Sequence, residues 1–148
     1  MLTLEGLGNN ISFGSTTASI PTTWITLENN NSLLEIDALE NISSFHYPPM
    51  IEIWDNSSLS NVDGLVSVSS SIAIDIERNI NLINLDGLIN LVSILGNGSL
   101  EVVNNTSLND LCGITTIIQN NGIEGNYIIS GNSYNPSEQD ILNGNCQN

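Results

Sequence analysis

The feature that most constrains this chain is an asparagine set in a recurring frame. In Ile51-Glu52-Ile53-Trp54-Asp55-Asn56-Ser57-Ser58-Leu59, aliphatic residues stand five and three before Asn56, and a leucine stands three after it. The frame returns at Asn30, Asn79, Asn105 and Asn132, at intervals of 26, 23, 26 and 27 residues. A period of that length marks stacked repeats, because one such unit buries its apolar face only against its neighbours.

A second motif of aliphatic, acid, small residue, aliphatic precedes each long connection. It reads Leu4-Glu5-Gly6-Leu7, Ile36-Asp37-Ala38-Leu39, Val62-Asp63-Gly64-Leu65, Leu85-Asp86-Gly87-Leu88 and Leu111-Cys112-Gly113-Ile114. Together the motifs predict one domain over 1–148: five solenoid coils at about 1–30, 31–56, 57–79, 80–105 and 106–132, then a cap over 133–148. The Asp-Gly pair reads as a turn in which glycine takes positive φ. Insertions fall at one corner. They are a loop from Gly14 to Thr23, a bulge at Phe45-His46-Tyr47-Pro48-Pro49, and further bulges at Leu95 to Gly98 and Asn120 to Gly122.

Before each asparagine the alternation is strict, and period two assigns the faces. Ile25 and Leu27, Ile51 and Ile53, Ile74 and Ile76, Leu100 and Val102, and Tyr127 and Ile129 point inward as ladders. The asparagines then form a row of side-chain amides that serves structure. The close of the chain predicts a short helix, with Pro136 in its first turn and Gly144 past its end. Leu4, Leu7, Ile11 and Phe13 would face an uncovered N-terminal edge, which predicts upstream coils or edge association with a partner.

Sixteen acids against a single strong base, Arg78, leave a net charge of −15, which disfavours nucleic acid and anionic lipid as partners. Cys112 and Cys146 are either free thiols or the ends of one closed loop. The abundance of Asn, Ser and Thr and the absence of Lys favour an exported protein with one disulfide. The first residues do not read as a signal peptide, so an exported protein would have lost one upstream. No apolar run is long enough for membrane insertion.

Outward positions stack as well: Thr26, Glu52, Asp75, Glu101 and Ile128 in one column, Glu28, Trp54, Glu77, Val103 and Ser130 in the next. Five carboxylates crowd this face. It reads either as a solvated surface that resists aggregation or as a ligand face built from Glu28, Glu52, Trp54, Asp75, Glu77 and Glu101. No calcium loop of EF-hand spacing is present, and His46 stands without a second ligand at zinc spacing, so no metal and no cofactor is expected. An acid pair such as Glu52 with Asp75 or Glu77 would suit glycoside hydrolysis, but any stacked acidic ladder offers that spacing. Asn-x-Ser/Thr at Asn10, Asn30, Asn41, Asn56, Asn97, Asn104 and Asn105 follows from the asparagine content.

The run from Asn56 to Leu65, its counterpart from Asn79 to Leu88, and the closing Tyr134-Asn135-Pro136-Ser137-Glu138-Gln139-Asp140-Ile141 with Gly144-Asn145-Cys146 carry a resemblance. They resemble the receptor L-domain family and leucine-rich, secreted surface proteins of Bacteroidetes. The resemblance implies an all-β fold, a right-handed parallel β-helix of about five coils with a short C-terminal capping helix, set on the cell exterior. It implies no enzyme but a secreted or cell-surface recognition or adhesion module for a protein or glycan. A structural spacer within a longer surface protein and a carbohydrate-active enzyme are the alternatives.

Overall fold

Aliphatic residues alternating with polar ones over four to six positions favour half-buried strands, and the asparagine frames supply them. The computed structural model describes residues 11–15, 23–41 and 47–148, the first segment by its backbone. Its strands are β1 (Ile11–Ser15), β2 (Thr23–Glu28), β3 (Pro49–Trp54), β4 (Ser70–Ser71), β5 (Ala73–Glu77), β6 (Ser93–Ile94), β7 (Leu100–Val103) and β8 (Tyr127–Ser130). Two short helices complete the elements, α1 (Thr115–Gln119) within the fifth repeat and α2 (Glu138–Leu142) in the closing segment.

The main sheet runs β1-β2-β3-β5-β7-β8. From β2 to β8 every pairing is parallel, and the register places Ile25 beside Ile51, Ile51 beside Ile74, Ile74 beside Leu100 and Leu100 beside Tyr127. The inward residues of the four inner parallel strands are at most 1% exposed, while Tyr127 and Ile129 on the last strand are half-buried. Burying each such aliphatic side chain contributes about 1.5–3 kcal/mol. Leu33, Leu59, Leu82 and Leu108, three residues past Asn30, Asn56, Asn79 and Asn105, extend the same core and are 0% exposed.

This architecture overturns the expected all-β, right-handed parallel β-helix. The chain forms a small α/β domain, one five-stranded parallel sheet with short helices on its connections, and no closed β-helix is seen among the described residues. The cause lies opposite the sheet. The Asp-Gly-Leu segments Asp63–Leu65 and Asp86–Leu88, and their counterpart Cys112–Ile114, coil into single 3-10 turns rather than serving as simple corners between strands. Beyond them only the two-residue strands β4 and β6 pair, along with isolated bridges such as Ile94 with Ile123.

Glycine in these turns has a different reason from the one expected. Gly64, Gly87 and Gly113 are absent from the residues of positive φ. A Cβ on each would lie 1.8 Å from the carbonyl oxygen of Ile36, Val62 or Leu85 in the preceding repeat. Close approach, not backbone handedness, excludes a side chain. Positive φ occurs instead just before each ladder asparagine, at Asn29, Asp55, Arg78, Asn104 and Gly131.

At the ends, two further expectations change. Gly14 and Ser15, read as the start of a loop, belong to β1, which pairs antiparallel with β2 from Ile11 opposite Leu27 to Ser15 opposite Thr23. The edge of β2 is therefore covered. At the C-terminus α2 is capped by Ser137, whose hydroxyl accepts from the Asp140 amide while the Asp140 carboxylate accepts from the Ser137 amide. Pro136 thus precedes the cap instead of sitting in the first turn, and Gly144 lies past the end at φ 84°. Ile141 of α2 is buried in the core. The Cys112–Cys146 disulfide holds the terminal segment, where the Leu111 amide donates to the Cys146 carbonyl at 2.9 Å. Leu4, Leu7, Phe45, His46, the first copy of the acid-glycine motif and the Asn10 sequon lie outside the described residues.

Candidate functional site

The frame that buries Ile51 and Ile53 turns Met50, Glu52 and Trp54 outward, and parallel pairing brings the equivalent residues of each repeat into columns about 4.8 Å apart. Strand register places Thr26, Glu52, Asp75, Glu101 and Ile128 in one column. Glu28, Trp54, Glu77, Val103 and Ser130 form the next. All six residues singled out in the sequence, Glu28, Glu52, Trp54, Asp75, Glu77 and Glu101, share this one face, and each is half-buried. A third column, Trp24 beside Met50 beside Ala73, was not singled out in the sequence. Its signal was present, since Trp24 lies two residues before Thr26 on the same face.

Local donors serve four of the five carboxylates. The Asn29 amide donates to Glu28 at 3.0 Å, the Thr26 hydroxyl to Glu52 at 2.9 Å and the Ser99 hydroxyl to Glu101 at 2.9 Å. Arg78 donates to Glu77 and also grips Asp55 through two bonds of 2.8 and 2.9 Å. Asp75, at the centre, receives no such bond, and its Oδ1 is shut from solvent.

The centre is electrostatically crowded. One carboxylate oxygen from each of Asp75, Glu77 and Glu101 lies within 4.8 Å of the others. Burial, then Glu77 and Glu101, push the Asp75 carboxyl up to about 6. The Trp54 indole N–H pulls partly the other way, although it reaches no acceptor at full hydrogen-bonding distance. Three such oxygens could contribute to a divalent cation site, but calcium takes six to eight. A small cavity of about 100 Å³ lies elsewhere, bounded by Ile117, Ile118, Gly122, Ile123 and Glu138.

The asparagines behind this face form a ladder that fixes its register. Each Oδ1 of Asn56, Asn79, Asn105 and Asn132 accepts from the backbone amide of the preceding ladder asparagine at 2.9–3.0 Å. Each Nδ2 of these four donates back to a strand carbonyl of the preceding repeat: Leu27, Ile53, Ile76 and Val102. Asn135, read in the sequence only as part of the cap, terminates the row by accepting from the Asn132 amide at 3.0 Å. Among the described residues no helix is long and apolar enough to cross a membrane. The Cys112–Cys146 disulfide is consistent with an oxidising, extracellular setting. Comparison with protein-family models, with curated proteins and with solved structures finds no match to this chain.

Proposed function

We propose that this protein is a non-catalytic, extracellular recognition or adhesion module that binds a protein or glycan through the outer face of its parallel sheet. The observation that carries the reading is the gathering of Trp54 and five carboxylates on one sheet surface, held in register by the buried amide ladder. An aromatic plate set among hydrogen-bond acceptors suits a ligand that presents a flat apolar surface and donors together. A secreted or cell-surface location supports it, resting on the disulfide and on the likeness of the repeats to receptor L-domains.

The test is a glycan array and a pull-down against purified surface proteins, run with the parent chain, Trp54→Ala and Glu52→Ala. The expected result is a retained ligand whose binding falls about tenfold or more in each variant, with the folds checked by circular dichroism. Binding that is indifferent to both substitutions would remove the sheet face from the function.

A further inference from the structure

Three asparagines in the chain precede glycine: Asn97-Gly98, Asn121-Gly122 and Asn143-Gly144. Asparagine before glycine is prone to imide formation, because no side chain shields the glycine nitrogen from the asparagine carboxamide. All three asparagines are exposed. All three glycine amides donate hydrogen bonds, to the carbonyls of Leu95, Ile117 and Ile141 at 3.2, 2.9 and 3.0 Å. Neither exposure nor bonding separates the three pairs, but their surroundings do.

Gly98 and Gly122 are wedged into the stack of repeats. A Cβ on Gly98 would lie 1.6 Å from the Ile72 carbonyl oxygen, and one on Gly122 would lie 2.1 Å from that of Val92. The Gly122 carbonyl also accepts from the Ile94 amide of the preceding repeat. Turning either peptide toward its asparagine side chain therefore means parting two repeats. At Gly144 a Cβ would meet no atom within 4 Å beyond its own chain neighbours. This glycine stands at φ 84° just past α2, where the Asn145 amide donates to the Asp140 carbonyl at 2.9 Å. Together with the bond to Ile141, that is the pairing that closes a helix on a left-handed glycine. Only this last turn has to open, and helix ends open far more readily than a stacked core. The Asn143 side chain is held by one exposed bond, from Gln139 Nε2 at 3.2 Å.

We propose that Asn143 is a site of self-modification, converting to aspartate and isoaspartate in the folded protein while Asn97 and Asn121 persist. The Gly144 nitrogen, having lost its proton, attacks Cγ of Asn143. The new C–N bond closes a cyclic imide, and the bond to Nδ2 breaks as ammonia leaves with a proton. Water then opens the ring at either carbonyl, so one water is consumed and one ammonia released, with no oxidant. The product places a negative charge at the C-terminal end of α2, against the helix dipole. Isoaspartate also inserts a methylene into the main chain between Ile141, buried in the core, and Cys146, tied to Cys112. That shifts the Gly144 and Asn145 amides off their carbonyls and loosens the closing segment inside its own disulfide loop.

The experiment incubates the disulfide-bonded full chain at mildly alkaline pH, folded in buffer and unfolded in guanidinium chloride. Peptide mapping by mass spectrometry reads amide loss at each asparagine, with electron-transfer fragmentation marking isoaspartate. In the folded chain Asn143 is expected to react about tenfold or more faster than Asn97 or Asn121, and in guanidinium the three rates should converge to within about threefold. Hydrogen exchange on the aged, folded protein should quicken at the Gly144 and Asn145 amides and stay unchanged at the Asn79 amide. Asn97 or Asn121 reacting as fast as Asn143 in the folded chain would overturn the proposal. So would the same selectivity in guanidinium, which assigns it to local sequence instead of to the fold, or unchanged exchange at Gly144 and Asn145 after ageing.

Discussion

At the scale of single residues, the asparagines and Asp75 show how similar polarity serves opposite ends. Asn79 is 0% exposed, and its side chain satisfies the Ile53 and Glu77 carbonyls and the Asn56 amide together. Asn79→Ala would leave those groups unmet and is expected to cost about 3 kcal/mol in denaturant unfolding. Asn81→Ala, which removes an exposed bond to the Ser57 carbonyl, should cost less than about 1 kcal/mol. Asp75 is the reverse case. Its folded value of about 6 lies above the ordinary 3.8. The folded chain therefore keeps a proton that the unfolded chain has released, and the contribution present below about pH 4 is lost as pH rises through 6. Asp75→Asn imitates the protonated form. It should match the parent at pH 4 and exceed it at pH 7 by on the order of 1 kcal/mol, water screening this partly exposed group. Equal stabilities at both pH values would show that the crowding has no energetic weight. Asp55, held low by Arg78, and Asp140, held low by Ser137, run the other way and lose their contribution on acidification.

At the scale of the element, the strands and the turns differ in how far they could be read from residues. Period-two alternation located the inward pairs and both outward columns, because strand faces depend only on spacing once neighbours are in step. The Asp-Gly-Leu segments were misread because glycine has two uses, positive φ and close approach, and a single chain does not distinguish them. Gly87 illustrates the second. Gly87→Ala would place a methyl carbon 1.8 Å from the Val62 oxygen and should cost about 3 kcal/mol. Gly96→Ala, at φ 70° with open space around it, should cost about 1 kcal/mol. Thermal unfolding of the two variants checks the ordering, and a larger loss at Gly96 would contradict it. Helix α1 was missed altogether, since Thr115-Thr116-Ile117-Ile118 favours strand by propensity. Packing decides there, because Ile117 and Ile118 are buried one turn after Gly113.

For the whole molecule, the stacking of repeats was visible in the intervals of 26, 23, 26 and 27 residues. The closed β-helix that the resemblance implied does not form among the described residues, because a repeat length specifies that units stack and not what forms on their far side. There, 3-10 turns and two short helices take the place of continuous strands. The acidic face depends on the stack being in step, since a slip of one residue would send Asp75 and Glu101 inward and expose Ile74 and Leu100. The Asn side chains report on that register most directly, by nuclear Overhauser contacts and exchange of their Nδ2 protons. The expected result is four slowly exchanging side-chain amides, with Asn56 in contact with Leu27, Asn79 with Ile53, Asn105 with Ile76 and Asn132 with Val102. Rapid exchange with water, or contacts to any other set of residues, would contradict the account of both the fold and the face it presents.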